Sequence, residues 1–322
     1  MSDAPDPFDG EVLDVAVPSG LDGLRVDRAL AMLTGLSRAQ AREVLAAGAV
    51  SVDGRVVLKG SHPVSAGQRL EAAVPPDPSV EVEAEPDVAV VVVREDPDFV
   101  VVDKAPGMVV HPGAGQRHGT LVAGLLARYP EMARLAGEGR GDPWRPGVVH
   151  RLDKGTSGLL VVARTPAGFD SLTTQLGERR VTRTYLALVE GRVAPERGVV
   201  DAPIGRSPRS PTLQAVRADG RAARTHYEVV TRVAGPPALT LLRLTLETGR
   251  THQIRVHLAA IGHPVVNDPR YGHRREPRLE AERVFLHAAA LGFAHPRTGE
   301  PVEVVSALPA DLAALVPGGA AL

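Results

Sequence analysis

From residue 88 onward, apolar residues come in short runs, and a dense polar turn stops each one. The runs 88–93, 99–103, 158–163, 184–189, 227–233 and 239–246 are rich in Val and Leu. Short runs of branched side chains mark strands rather than helices. Residues 167–176 instead follow a helical period. The order of strands and helices is irregular, with no repeated β-α-β unit and no internal repeat. The class this predicts is α+β, with a mixed, mainly antiparallel β-sheet over residues 88–322. Aromatic residues are only 3% of the chain, so aliphatic side chains must fill its core. Residues 137–146, rich in Gly, Arg and Pro, read as a surface loop.

The first 87 residues follow a different pattern. Residues 1–15, rich in Asp and Pro, read as a disordered acidic tail. Residues 16–75 hold a compact α/β unit. Val26, Leu30 and Leu33 suggest one helix. Ser37 looks like the N-cap of a second, with Ala41, Val44 and Leu45 on one face and Gly48 past its end. Val50-Ser51-Val52 alternates as a strand does, Asp53-Gly54 is a two-residue hairpin signal, and a further strand follows Gly67. The expected order is two short helices and then a small sheet. Residues 76–87, proline-rich and acidic, read as an extended linker.

Charge is unevenly spread. Up to Asp98 the chain holds 8 Lys and Arg against 18 Asp and Glu; the remainder holds 29 against 20. A basic C-terminal body would attract a phosphate backbone, although arginines on solvated faces give the same balance. Cysteine is absent, which excludes disulfides, thiolate metal sites and Cys nucleophiles. No apolar run nears the roughly 20 residues of a membrane span. The acidic first ten residues lack the basic-then-apolar order of a signal peptide. A cytoplasmic protein is expected.

Five polar segments lie at the ends of apolar runs, where sites tend to be built. Lys104-Ala105-Pro106-Gly107 through His111-Pro112-Gly113 reads alone as a loop. His150-Arg151-Leu152-Asp153-Lys154 sets one carboxylate among several potential cations. Positive neighbours would keep Asp153 ionised and fit to act as nucleophile or base, and a structural turn with a local salt bridge is the plain alternative. Arg183-Thr184-Tyr185 places one of four tyrosines beside arginines, which suits stacking on a base, or a place in the core. Asp201 to Ser207 is a turn with one cation, Arg206. Glu247-Thr248-Gly249-Arg250-Thr251-His252-Gln253-Ile254-Arg255-Val256-His257 begins at a strand end and turns helical, and Arg255 is placed to hold a buried carboxylate. His252, His257 and His263 invite a metal reading, but acidic ligands and the His-Glu-x-x-His pattern are both lacking.

Taken together, these segments resemble the pseudouridine synthase family that includes the RluA and RluD enzymes. The likeness runs over nearly the whole chain from about Leu21. His150 to Lys154 with Thr156-Ser157-Gly158 looks like the family's signature around its catalytic Asp, and Thr248 to His257 like its other signature. Lys104 to Gly113 and Arg183-Thr184-Tyr185 are similar to two more of its motifs. Residues 21–74 are similar to an S4-type RNA-binding module, through Arg25-Val26-Asp27, Ser37-Arg38, Gly48 and Val50 to Gly54. Gly155, Arg183 and Asn267 depart from the commonest residues at their positions.

The resemblance implies the pseudouridine synthase fold and isomerisation of uridine to pseudouridine in structured RNA. Asp153 would be the catalytic carboxylate, paired with Arg255. Tyr185 would pack on the target base, and Arg151 would help open the RNA. RNA contacts would come from Arg183, Arg206, Arg250 and His252, and in the first unit from Arg38, Arg42 and Lys59. No cofactor or metal is required. Large-subunit (23S) ribosomal RNA or its precursor is the expected partner, with transfer RNA as runner-up and a monomer by default. Two competing classes are a non-catalytic S4-type RNA-binding protein and a hydrolase using Asp153 with His150 or His252. The hydrolase would need a nucleophile such as Ser157 set beside a His.

Overall fold

The computed structural model describes residues 12–74, 81–113, 116–207, 210, 212–272 and 283–316. The first unit holds β1 (Val12–Ala16), α1 (Val26–Thr34), α2 (Arg38–Ala46), β2 (Val50–Val52), β3 (Arg55–Val56) and β4 (Arg69–Ala73). Its strands pair antiparallel in the order β1-β4-β2-β3. Ser37 and Gln40 cap α2 reciprocally: the Gln40 N–H donates to Ser37 Oγ and the Ser37 N–H to Gln40 Oε1. Asp53 (φ 49°) and Gly54 (φ 75°) both take the left-handed turn that joins β2 to β3.

Two expectations for this half are corrected. Residues 12–15, expected in a tail, lie in β1, because Leu13 is buried (3% exposed) in the unit's core. Acidic neighbours hide that alternation in the sequence. The sheet therefore begins before the helices rather than after them. Residues 1–11 of the expected tail and 75–80 of the expected linker lie outside the described residues. The rest of the linker does not hang free. Glu85 takes the Gly119 N–H on its carboxylate at 2.9 Å, its own N–H donates to Ala123 O, and Val82 packs on the larger core.

The larger unit begins with β5 (Val91–Glu95), β6 (Phe99–Lys104), α3 (Leu121–Arg128), α4 (Arg134–Gly137), β7 (Ser157–Ala163) and α5 (Pro166–Gly177). It continues with β8 (Thr182–Glu190), β9 (Arg197–Asp201), β10 (Ile204–Arg206), β11 (Gln214–Val216), β12 (Arg224–Val233) and β13 (Leu239–Leu246). α6 (Gln253–Ala260), β14 (Leu286–Ala294), β15 (Pro301–Val305) and α7 (Ala310–Ala313) complete it. Nine strands form one sheet in the order β5-β6-β7-β14-β8-β13-β12-β9, with β15 beside β14. Among the described strands, only β7 and β14 pair in parallel; the rest are antiparallel. The α+β class with a mixed, mainly antiparallel sheet is thus present.

Both faces of the sheet's centre are covered. Val100 and Val102 of β6 point to a core shared with Leu121 and Leu125 of α3, while Phe99 and Val101 point to one shared with Leu172 of α5. Strands buried on both faces read as unbroken apolar runs, which is why they stand out in the sequence. The strand expected over 88–93 begins later, because Val88 and Val90 pack against Gly124 of α3. The expected surface loop 137–146 carries Trp144, which is buried edge-on against His111 with ring centroids 4.5 Å apart. Among the described residues, no helix is long and apolar enough to cross a membrane.

Candidate active site

Asp153 stands in the turn that leads into β7, at the middle of the sheet. Its own carbonyl accepts from the Thr156 N–H at 3.0 Å, closing the turn. The loop 104–108 fastens that turn from outside. Lys104, 1% exposed, donates its ammonium to the carbonyls of Ala105, Met108 and Lys154, and the Gly107 N–H also donates to Lys154 O at 2.7 Å. After the turn, Gly158 runs so close to β14 that any Cβ would overlap Ala288 O, and its φ is 112°. Only glycine lets the turn enter the sheet there.

The second half of the site comes from the segment after β13. Gln253 locks it: its Oε1 accepts from Thr248 Oγ1 and the Arg250 N–H, and its Nε2 donates to Arg224 O and Thr225 Oγ1. This sets Arg255 in the first turn of α6, where it spans two carboxylates. Nη1 donates to Asp153 Oδ2 at 2.8 Å. Nε and Nη2 grip Asp268 at 2.7 and 2.9 Å. Asp268 also takes the N–H groups of Arg270 and Tyr271. A two-point grip of this kind fixes the plane of the guanidinium and so the direction of Nη1.

Burial opposes the charge on Asp153, but its positive neighbours (His252 where it is protonated, and Arg255 and Arg151 throughout) more than offset it and hold the carboxyl well below the usual range. His252 itself is held down to about 4, chiefly by burial, so it is neutral near pH 7. Near pH 7 the cations that keep Asp153 ionised are therefore Arg255, which is hydrogen-bonded to it, and Arg151. His252 Nε2 lies 4.0 Å from Asp153 Oδ2, and its Nδ1 pairs with Tyr271 OH at 2.8 Å. Burial raises the pKa of the Tyr185 phenol, so Tyr185 stays neutral.

Asp153, Tyr185, Arg255, Arg151, Arg183, Arg250 and His252, all named from the sequence, line one open cavity of about 450 Å³. That volume suits a small organic group. Arg206 is not on its wall; it lies in β10, where its carbonyl accepts from Arg217. Arg38 and Arg42 belong to the first unit, where both bond to the buried Asp27. Lys59 borders a shallow surface hollow with Arg55 and His62. The three histidines form no metal group among the described residues. His257 bonds to Thr225 and Ala202 O, and His263 to Glu190 O. Ser157 does meet a histidine, His287, at 3.0 Å, but both side chains are buried and neither lines the cavity. The serine nucleophile that a hydrolase needs is therefore out of reach.

Sequence reasoning missed Asp268, Tyr271 and the fastening role of Lys104. A signal for Asp268 existed: a buried arginine needs more than one partner, and Asp268 is the carboxylate in the polar break after Val265-Val266.

Residues 98–260 match the RNA pseudouridylate synthase family model, and residues 24–70 match the S4 domain model. The chain belongs to the RNA pseudouridylate synthase family. It is 49% identical to an uncharacterized RNA pseudouridine synthase of Chloroflexus aurantiacus, over 92% of this chain and 90% of that one. It is 42% identical to ribosomal large subunit pseudouridine synthase D of Nitrosomonas europaea, over 94% and 87%. The solved structure of human RNA pseudouridylate synthase domain containing 1 superposes with a TM-score of 0.54 at 32% identity, covering 68% of this chain and 83% of that one. Together, the family match and the relatives make this chain an RNA pseudouridine synthase with an N-terminal S4 domain.

Proposed function

We propose that this synthase isomerises particular uridines of large-subunit (23S) ribosomal RNA in the cytoplasm, with Asp153 as its catalytic carboxylate and no cofactor or metal. The observation that carries the chemistry is the Arg255 bridge, which keeps Asp153 ionised and aimed into the cavity. Support for the substrate is the S4 domain together with the names of relatives such as the Nitrosomonas europaea enzyme.

In the reaction the C1′–N1 bond breaks, the base turns, and a C1′–C5 bond forms. The proton on C5 leaves and N1 gains one, so atoms and electrons balance without a second substrate. A fixed carboxylate answers the electron-poor sugar carbon that the departing base leaves behind. Tyr185, buried beside the carboxylate, supplies a flat neutral ring for the base to lie against. Arg151, Arg179 and Arg250 line the cavity, where an RNA backbone would pass.

The test is Asp153→Asn with a large-subunit RNA transcript labelled with [5-³H]uridine. The variant is expected to fold and bind RNA yet release no tritium. Release at the rate of the unsubstituted protein would remove Asp153 from its role. Mapping pseudouridines in ribosomal and transfer RNA from cells lacking the protein tests the substrate. Loss confined to transfer RNA would overturn the ribosomal assignment.

A further inference from the structure

Among the described residues, two buried arginines line the cavity, and their circumstances are opposite. Arg255 (6% exposed) is held by two carboxylates. Arg183 (7% exposed) has no carboxylate partner among the described residues, and its Nε makes no hydrogen bond. A cation buried without an anion costs several kcal/mol. The fold nevertheless makes room for it: a Cβ on Gly249 would lie 2.5 Å from Arg183 Nη1. Arg183 and Tyr185 are two apart on β8, so both point to the same face.

His150 forms part of the same wall. Its Nε2 accepts the N–H of Val161 at 3.2 Å. Turning the ring over would put a carbon against that N–H, so the orientation is fixed chemically. The ring proton must then sit on Nδ1, which has no protein partner among the described residues. Burial first, and then the charge of Arg183, hold His150 down to about 3, so it is a neutral donor.

We propose that Arg183 and His150 hold the detached uracil by its carbonyl oxygens, Arg183 as counter-ion and His150 as an Nδ1–H donor. The proposal rests on the isomerase reading. When C1′–N1 breaks, the electron pair stays on the base and its charge spreads from N1 to O2 and O4. Donors aimed at those oxygens bind the detached base more strongly than the intact nucleoside, and that difference lowers the barrier. Depth argues for the base over a phosphate. The RNA backbone must leave the cavity on both sides, so phosphates meet the rim, where Arg179 has a side chain 55% exposed. The buried end is left for the base.

The experiment uses the full-length protein and the tritiated large-subunit transcript. It compares single-turnover release at saturating RNA with RNA affinity across a salt series. Arg183→Met and His150→Phe are each expected to slow release on the order of a hundredfold, as for loss of one oxyanion donor, with affinity and salt slope unchanged. Arg183→Lys restores a charge, and His150→Asn restores an N–H near the Nδ1 position. Each is expected to recover at least about tenfold of that loss, which a merely structural role would not show. Normal saturating rates with weaker, less salt-sensitive binding would assign both groups to phosphate and overturn the proposal. So would unchanged rates and affinity. If Arg183→Met does not fold, His150→Phe decides by rate against affinity alone, because a neutral ring leaves the salt slope unchanged in either case: a normal saturating rate would overturn the proposal. No release from the unsubstituted protein would overturn the isomerase reading, and this proposal with it.

Discussion

Replacing Arg255 by Met removes the cation between Asp153 and Asp268 while keeping much of its bulk. The side chains of Arg255 and Asp268 are 7% and 0% exposed, and that of Asp153 is 19% exposed. Breaking a buried pair by deleting one partner costs about 3–5 kcal/mol, a large share of the roughly 5–15 kcal/mol that holds a domain folded. The variant should therefore melt well below the parent. Its catalytic signature is sharper. In the parent, Asp153 is ionised far below neutral pH, so its protonation leaves no mark on the rate between pH 5 and 8. Without Arg255, Asp153 loses its hydrogen-bonded cation and keeps Arg151, while His252, neutral at pH 7, adds positive charge only where it becomes protonated. The carboxyl pKa then rises, the ionised fraction falls on the acid side, and the tritium-release rate climbs with pH. Arg255→Lys keeps a charge but cannot span both carboxylates, so it should restore a flat profile at a reduced rate. A folded Arg255→Met protein with the parent's rate and a flat profile would refute the reasoning.

The other expectations are narrower. Gly158→Ala sets a methyl against Ala288 O at a φ of 112°, so it should cost several kcal/mol or prevent folding, as urea denaturation would show. Arg38→Ala combined with Arg42→Ala should weaken RNA binding and lower the salt slope by about 2, while leaving release at saturating RNA intact; an unchanged slope would take the S4 domain's α2 off the RNA. His150 and His252 fold with values of about 3 and about 4, below the 6.5 of the unfolded chain. Between pH 6.5 and about 4 the unfolded chain binds protons that the folded one refuses. Stability is therefore highest above pH 6.5 and falls on acidification, by about 1.4 kcal/mol per pH unit for each group. Equal urea midpoints at pH 7 and pH 5 would contradict this.

What could be read from the sequence follows from where each residue's information lies. β13 was legible to its end residues, because a strand covered on both faces is an uninterrupted apolar run. α2 was legible because Ser37 marks its start and Ala41, Val44 and Leu45 its buried face; Gln40, which completes the cap, was not noticed. Asp153 and Arg255 stood out as charged groups in polar segments, whereas Tyr185 lies buried within β8 and was assigned to the site only by the resemblance. β1 was not, since acidic residues around Leu13 suggest a tail and its partner β4 lies more than fifty residues away. Arg206, expected as an RNA contact, lies in β10 away from the cavity wall, and a cation in a turn says nothing of the direction it faces.

The positions that escaped notice act through contacts that no local pattern contains. Asp268 does its work by gripping a guanidinium on another element, and Lys104 by binding three carbonyl oxygens. Carbonyls leave no trace in a sequence, so a lysine that closes a loop around them looks like any loop lysine. The same logic separates the two buried arginines. Arg255 can be understood from the protein alone, because its two carboxylates are both in the chain. Arg183 cannot, because no anion in the described protein meets it. A charge kept buried in this way calls for an anion from outside the chain, and in the role we propose for Arg183 that anion is the departing base.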